Sequence, residues 1–129
     1  MPCCSKPLPL ASLFAALADT TRLRLLNLMA GREVCVCHFV EILGQSQPKI
    51  SRHLAYLRSA GIVAARRDGK WMHYHICPLA DPSAASLLDS VLCSLACDEQ
   101  MRADRAKLNP ACCAPQKLVV LESVSLPVG

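Results

Sequence analysis

"QSQPKISRHLAYLRSAG", residues 45–61, decides the fold of this 129-residue chain. Ser46 has the side-chain oxygen that caps a helix, and Pro48 fits the first turn, where a missing N–H costs nothing. Ile50, Leu54 and Leu57 then form one buried stripe, and Gly61 ends the helix. Lys49, Arg52, His53 and Tyr56 lie mainly off that stripe and face outward. Upstream, a helix of about eight residues, by its apolar spacing, ends near Gly44. Two short helices across a tight turn, the second basic and polar on its exposed side, make a helix-turn-helix candidate.

Immediately downstream, "IVAARRDGKWMHYHI" reads as a hairpin. Two strand-like runs, 62–67 and 71–76, flank Asp68-Gly69, a strong two-residue turn signal. Arg66, Arg67 and Lys70 cluster at its tip. A hairpin directly after such a helix is expected to be a wing, whose charged tip can reach phosphates or the minor groove, rather than a surface hairpin kept soluble by edge charges. Charge agrees with this reading. The net charge is +4, and the window from Gln45 to His75 holds six Lys and Arg against one acid, Asp68. A local basic surface on an otherwise near-neutral protein is the footprint expected for a nucleic-acid partner, and on charge alone a solvated charged face is the alternative.

The remaining segments supply a core and a surplus. Leu10, Leu13, Phe14 and Leu17 make one stripe of a first helix over 9–18. Asp19 or Thr20 caps a second, "DTTRLRLLNLMAG", which is apolar on more than one side, as a buried central helix is. A short extended piece, 33–36, leads into the third helix. Pro78 and Pro82 precede a last long helix over about 83–106, with a wide apolar face of Leu87, Leu88, Val91, Leu92 and Leu95. That face and the first helix exceed what a small winged domain covers alone, which predicts a homodimer through the terminal helices. The expected layout is a tail over 1–8, one domain over 9–107 and a second tail over 108–129. The expected class is mainly α with a β-hairpin wing, in the order α-α-(β)-α-α-β-β-α.

With 53% hydrophobic and 19% charged residues, the chain is globular rather than disordered. Its apolar N-terminal stretch is about ten residues, too short to span a bilayer. The start also lacks the charge and cleavage site of a secretory signal, so no membrane partner and a cytoplasmic location are expected. There thiols stay reduced, and cysteine pairs more often bind metal or sense redox state than staple a fold. The odd count of nine cysteines also argues against a complete disulfide framework.

In this order, these elements resemble the ArsR/SmtB family of winged-helix metalloregulatory repressors. Residues 33–76, "EVCVCHFVEILGQSQPKISRHLAYLRSAGIVAARRDGKWMHYHI", are similar to the arsenical-resistance operon repressors. The hallmark of that group is an E-L-C-V-C-D-L-C box followed by S-Q-P-K-I-S-R-H-L. The resemblance covers about residues 10–100, and "LADTTRLRLLNLM" fits it too. It implies a homodimer on double-stranded operator DNA, released when a metal or metalloid binds. It places Ser46, Gln47, Lys49, Ser51, Arg52 and His53 near or against DNA, and the outward-facing Tyr56 with the hairpin tip's Arg66, Arg67 and Lys70 completes the DNA-binding set expected from the residues themselves. Cys35 and Cys37 match the first two cysteines of the box, whereas the third position is Val40 here.

Soft thiolates select soft ions, and the resemblance implies As(III) or Sb(III) as the inducer, with no catalytic cofactor. The two side chains converge only if the backbone kinks between strand and helix, because a regular strand sends them to opposite faces. Zinc is disfavoured, since a structural site takes four ligands and usually a CxxC spacing. A third thiolate can come from Cys112-Cys113 or, more weakly, from Cys3-Cys4. Alternatively, a methylated trivalent arsenical needs only two. Cys93 and Cys97, at i, i+4 beside the apolar stripe, are expected in the core, Cys77 reads as structural, and His38 is expected at the surface. A thiol redox sensor of the same fold is the alternative. A cysteine-based arsenate reductase is a third, disfavoured reading, because it predicts a C-x5-R anion loop and no cysteine here has Arg six residues later.

Overall fold

A computed structural model describes residues 9–111, with side chains through Leu108. Two helices open the described chain, α1 (Leu10–Leu17) and α2 (Thr20–Met29), and Asp19 rather than Thr20 caps the second, accepting from the Arg22 N–H. A two-residue strand, β1 (Val34–Cys35), runs directly into α3 (Val36–Leu43). Gly44 closes α3 at φ 69°, a left-handed position that favours glycine. The Ser46 hydroxyl accepts from the Lys49 N–H and Pro48 sits in the first turn, starting α4 (Gln47–Ser59) where the sequence places it.

The wing is β2 (Val63–Asp68) and β3 (Trp71–Ile76), antiparallel, with β1 added on the far side of β3. The turn is displaced by one residue from the expected Asp68-Gly69. Asp68 pairs with Trp71, so Gly69 and Lys70 are the two turn residues, and Gly69 has the positive φ, 64°, that such a turn requires.

The greatest departure lies at the C-terminal end. The single long helix expected over 83–106 is two: α5 (Pro82–Ala96) and α6 (Glu99–Ala111). Asp98 accepts from the Met101 N–H and so starts a second helix at the point where the first ends. α6 then turns back onto α2. Asp104, wholly buried, takes both prongs of the Arg24 guanidinium at 2.8 and 2.9 Å, Asn27 donates to the Met101 carbonyl, and Arg105 donates to that of Asn27. Leu108 enters the same core as Leu25, Leu26, Phe39, Ile50 and Leu54.

Half of the α1 stripe belongs to that core. Leu13 and Leu17 are buried, but Leu10 and Phe14 remain 44% and 53% exposed, so the other half is left uncovered among the described residues. On α5, Leu88 is buried, whereas Leu87, Val91, Leu92 and Leu95 are only partly covered.

Candidate DNA interface and thiol site

The N-terminal half of α4 presents Ser46, Gln47, Lys49, Ser51 and Arg52 to solvent, while Ile50, Leu54 and Leu57 hold the helix against the core. Arg67 and Lys70 are exposed at the wing tip, and Lys70 lies 6.0 Å from the ring centre of Trp71. Neither Lys49, Arg52, Arg67 nor Lys70 is in an ion pair among the described residues.

Three residues of the expected DNA set are engaged inside the protein. His53 is partly buried, its Nδ1 3.3 Å from Arg22 Nη1 and 3.9 Å from Asp19 Oδ1. Tyr56 is exposed, with the Arg22 guanidinium 4.1 Å from its ring centre. Arg66 grips Glu33 with both prongs, Nη2 at 2.7 Å and Nε at 3.0 Å. That guanidinium holds the Glu33 carboxyl below the usual carboxylate range, against the opposing effect of burial.

Arg22 itself was not apparent from sequence. Its Nε donates to the Ala16 carbonyl at 2.8 Å and its Nη2 to that of Ala15 at 3.0 Å, so it caps the end of α1 while touching α4. Around it, burial pushes the Asp19 carboxyl up. The Arg22 N–H and the charges of His53 and Arg22 outweigh that and leave it lowered.

The thiol pair depends on the kink at the β1–α3 junction. Cys35 is extended (φ −75°, ψ 143°) and caps α3, so Cys37 already lies in the first helical turn. The regular-strand divergence is thereby cancelled, and the two sulfurs stand 3.2 Å apart. Cys35 is buried and Cys37 exposed, and both are thiols rather than disulfides. An atom bonded at about 2.3 Å to each sulfur subtends about 88° across that gap, below the roughly 109° of tetrahedral zinc and near the right angles of a pyramidal p-block centre.

His38 follows in the same turn, its Nδ1 3.9 Å from Cys37 Sγ, and is buried rather than at the surface as expected. The helix period explains this, since His38 lies on the side of α3 that also buries Phe39 and Ile42. Among the described residues no cluster of three His, Cys, Asp or Glu forms. Cys93 and Cys97 are exposed thiols, contrary to the expected core position, because α5 packs inward through Ala84 and Leu88. Cys77 is buried, 2% exposed. Cys3, Cys4, Cys112 and Cys113 lie outside the described residues. Among the described residues no helix is long and apolar enough to cross a membrane.

The family described as bacterial regulatory protein, arsR family, matches residues 19–65. The chain is 49% identical over 78 residues to the arsenical resistance operon repressor of Escherichia coli, covering 60% of this chain and 67% of that one. It is 46% identical over 80 residues to the arsenic resistance transcriptional regulator ArsR1 of Pseudomonas putida, covering 61% and 62%. The chain thus spans about two thirds of the length of these relatives. Among solved structures, HlyU from Vibrio cholerae matches with TM-score 0.59 at 27% identity, over 69% of this chain and 92% of that one. The AntR antimony-specific transcriptional repressor matches with TM-score 0.54 at 33% identity, over 67% and 76%. The chain belongs to the ArsR family of DNA-binding transcriptional regulators, and it is not an enzyme.

Proposed function

We propose that this regulator binds operator DNA as a homodimer in the cytoplasm and leaves it when trivalent arsenic or antimony, or a methylated trivalent arsenical, is captured by Cys35 and Cys37. The observation that carries this reading is the 3.2 Å approach of the two sulfurs in the first turn of the helix that leads the helix-turn-helix. The names of the E. coli and AntR proteins, an arsenical and an antimony repressor, support the ligand class. The exposed α4 residues and wing cations support the DNA surface. The uncovered Leu10 and Phe14, with the partly covered face of α5, support the dimer.

In capture, Cys35 and Cys37 displace two hydroxyls of arsenous acid. Each hydroxyl leaves as water with one thiol proton, and two S–As bonds form. The third arsenic position keeps its hydroxyl, or a methyl group in a methylated arsenical, unless another thiolate takes it. The ligand drives release only by binding the DNA-free form more tightly. A hundredfold preference corresponds to about 2.7 kcal/mol of coupling.

The test is fluorescence anisotropy on a DNA site selected with the purified protein, titrated with arsenite. The wild type is expected to release and the Cys35→Ser/Cys37→Ser protein to stay bound. Release that persists in the double variant overturns the site assignment. Release by peroxide but not by arsenite, in the same assay, would establish the thiol redox alternative instead.

A further inference from the structure

The thiol pair is joined to the wing by two independent links. The first is the backbone ladder: Val34 pairs with Tyr74 and Cys35 with His73, on the central strand of the wing sheet. His73 in turn pairs with Arg66 on β2, so Cys35, His73 and Arg66 form one row across three strands. The second is a side-chain strut. Glu33, two residues before Cys35, reaches past β3 to take Arg66 at 2.7–3.2 Å through three N–H···O contacts, and His75 Nδ1 lies 3.8 Å from the same carboxylate.

An exposed ion pair of this kind contributes little to stability. Its bidentate geometry does fix direction, because a planar fork on a carboxylate sets the orientation of both side chains. Arg66 is thereby held facing the thiol strand, one residue from Arg67 and four from Lys70, the two exposed cations of the tip.

We propose that Glu33 and Arg66 are positioning residues that lock the wing to the thiol strand, so that capture at Cys35 reaches DNA by displacing the wing tip with Arg67 and Lys70. Arg66 on this account is a strut and not a phosphate contact. The inference rests on the thiol pair being the inducer site, and its test separates the two.

Trp71, the only tryptophan of the chain, sits at the wing turn and is half exposed, so its emission reports on the wing without DNA. Arsenite added to the DNA-free wild type is expected to change that emission, and Glu33→Gln to lose most of the change while still binding arsenite at the same stoichiometry. On DNA, the ratio of affinities without and with arsenite is expected to fall at least about fivefold in Glu33→Gln and in Arg66→Gln, a loss of about 1 kcal/mol of coupling. The reversed pair Glu33→Arg/Arg66→Glu restores it, which a role in folding alone does not predict. Wild-type Trp71 emission that ignores bound arsenite overturns the proposal, as does an unchanged affinity ratio in Glu33→Gln. Tighter DNA binding by Glu33→Gln, or a shallower salt slope in Arg66→Gln, also overturns it, since Arg66 would then be a phosphate contact that Glu33 restrains. If arsenite neither binds the wild type nor releases it from DNA, the thiol site itself fails, an outcome visible before any variant is made.

Discussion

The salt dependence of DNA binding follows from counting cations. On the N-terminal half of α4 and the wing tip each protomer exposes four cations with no acidic partner among the described residues, Lys49, Arg52, Arg67 and Lys70, while the equally exposed Arg58 lies in the last turn at the far end of α4. Each phosphate neutralised on duplex DNA contributes about −0.9 to the slope of log K against log salt, so eight contacts in a dimer give a slope of about −7. Between roughly 50 and 200 mM salt that slope weakens binding about 10⁴-fold. Replacing Arg52 by alanine removes one contact per protomer and two per dimer, so the slope is expected to become shallower by about 1.8 as affinity falls. Fluorescence anisotropy at four or five salt concentrations, wild type against Arg52→Ala, measures both quantities. An unchanged slope in Arg52→Ala refutes the placement of α4 on DNA. A wild-type slope near −3.6, by the same count, means that one protomer carries all the contacts and refutes the dimeric complex.

Two further predictions concern the framework. Asp104→Ala strips the Arg24 guanidinium of both its acceptors in a largely buried place, and urea unfolding is expected to show a loss of about 3 kcal/mol, the low end for a broken buried pair because Arg24 keeps some solvent contact. A loss under about 1 kcal/mol refutes the role of this pair in holding α6 onto α2. Phe14→Glu puts a charge on the uncovered half of α1, and sedimentation velocity at micromolar protein is expected to show a dimer for the wild type and a monomer for the variant. A variant that remains dimeric removes α1 from the interface.

The DNA-reading unit was legible because its signals are local. Ser46, Pro48 and Gly61 mark the limits of α4, and Ile50, Leu54 and Leu57 set its inward face with no help from distant residues. The wing was legible for the same reason, although the turn falls on Gly69-Lys70 because strand register, not the Asp-Gly signal, settles which residue pairs with Trp71. What escaped sequence reading depends on long-range partners. The break between α5 and α6 has a local mark in Asp98, but an acid before Glu99 reads equally well inside a helix. What makes the break favourable is Asp104 meeting Arg24, 80 positions away. The convergence of Cys35 and Cys37 was conditional on a kink, and the kink arises because a two-residue strand, too short to announce itself, pairs with β3. The exposure of Cys93 and Cys97 escaped it too, since which side of α5 packs inward, the side of Ala84 and Leu88, depends on the elements it meets.

Arg22 has a consequence for how the protein measures DNA. Its guanidinium holds the Ala15 and Ala16 carbonyls of α1, lies over Tyr56 and approaches His53, so the helix with the uncovered apolar residues and the helix proposed to face DNA share one joint. In a dimer joined through α1, the distance between the two reading heads is then set at the subunit seam and fixed by this joint, as the legs of a caliper are fixed by its pivot. Half-sites one helical turn apart, about 34 Å, demand such a fixed gauge. Loosening the joint would leave each head able to grip a half-site while the pair lost its sense of spacing.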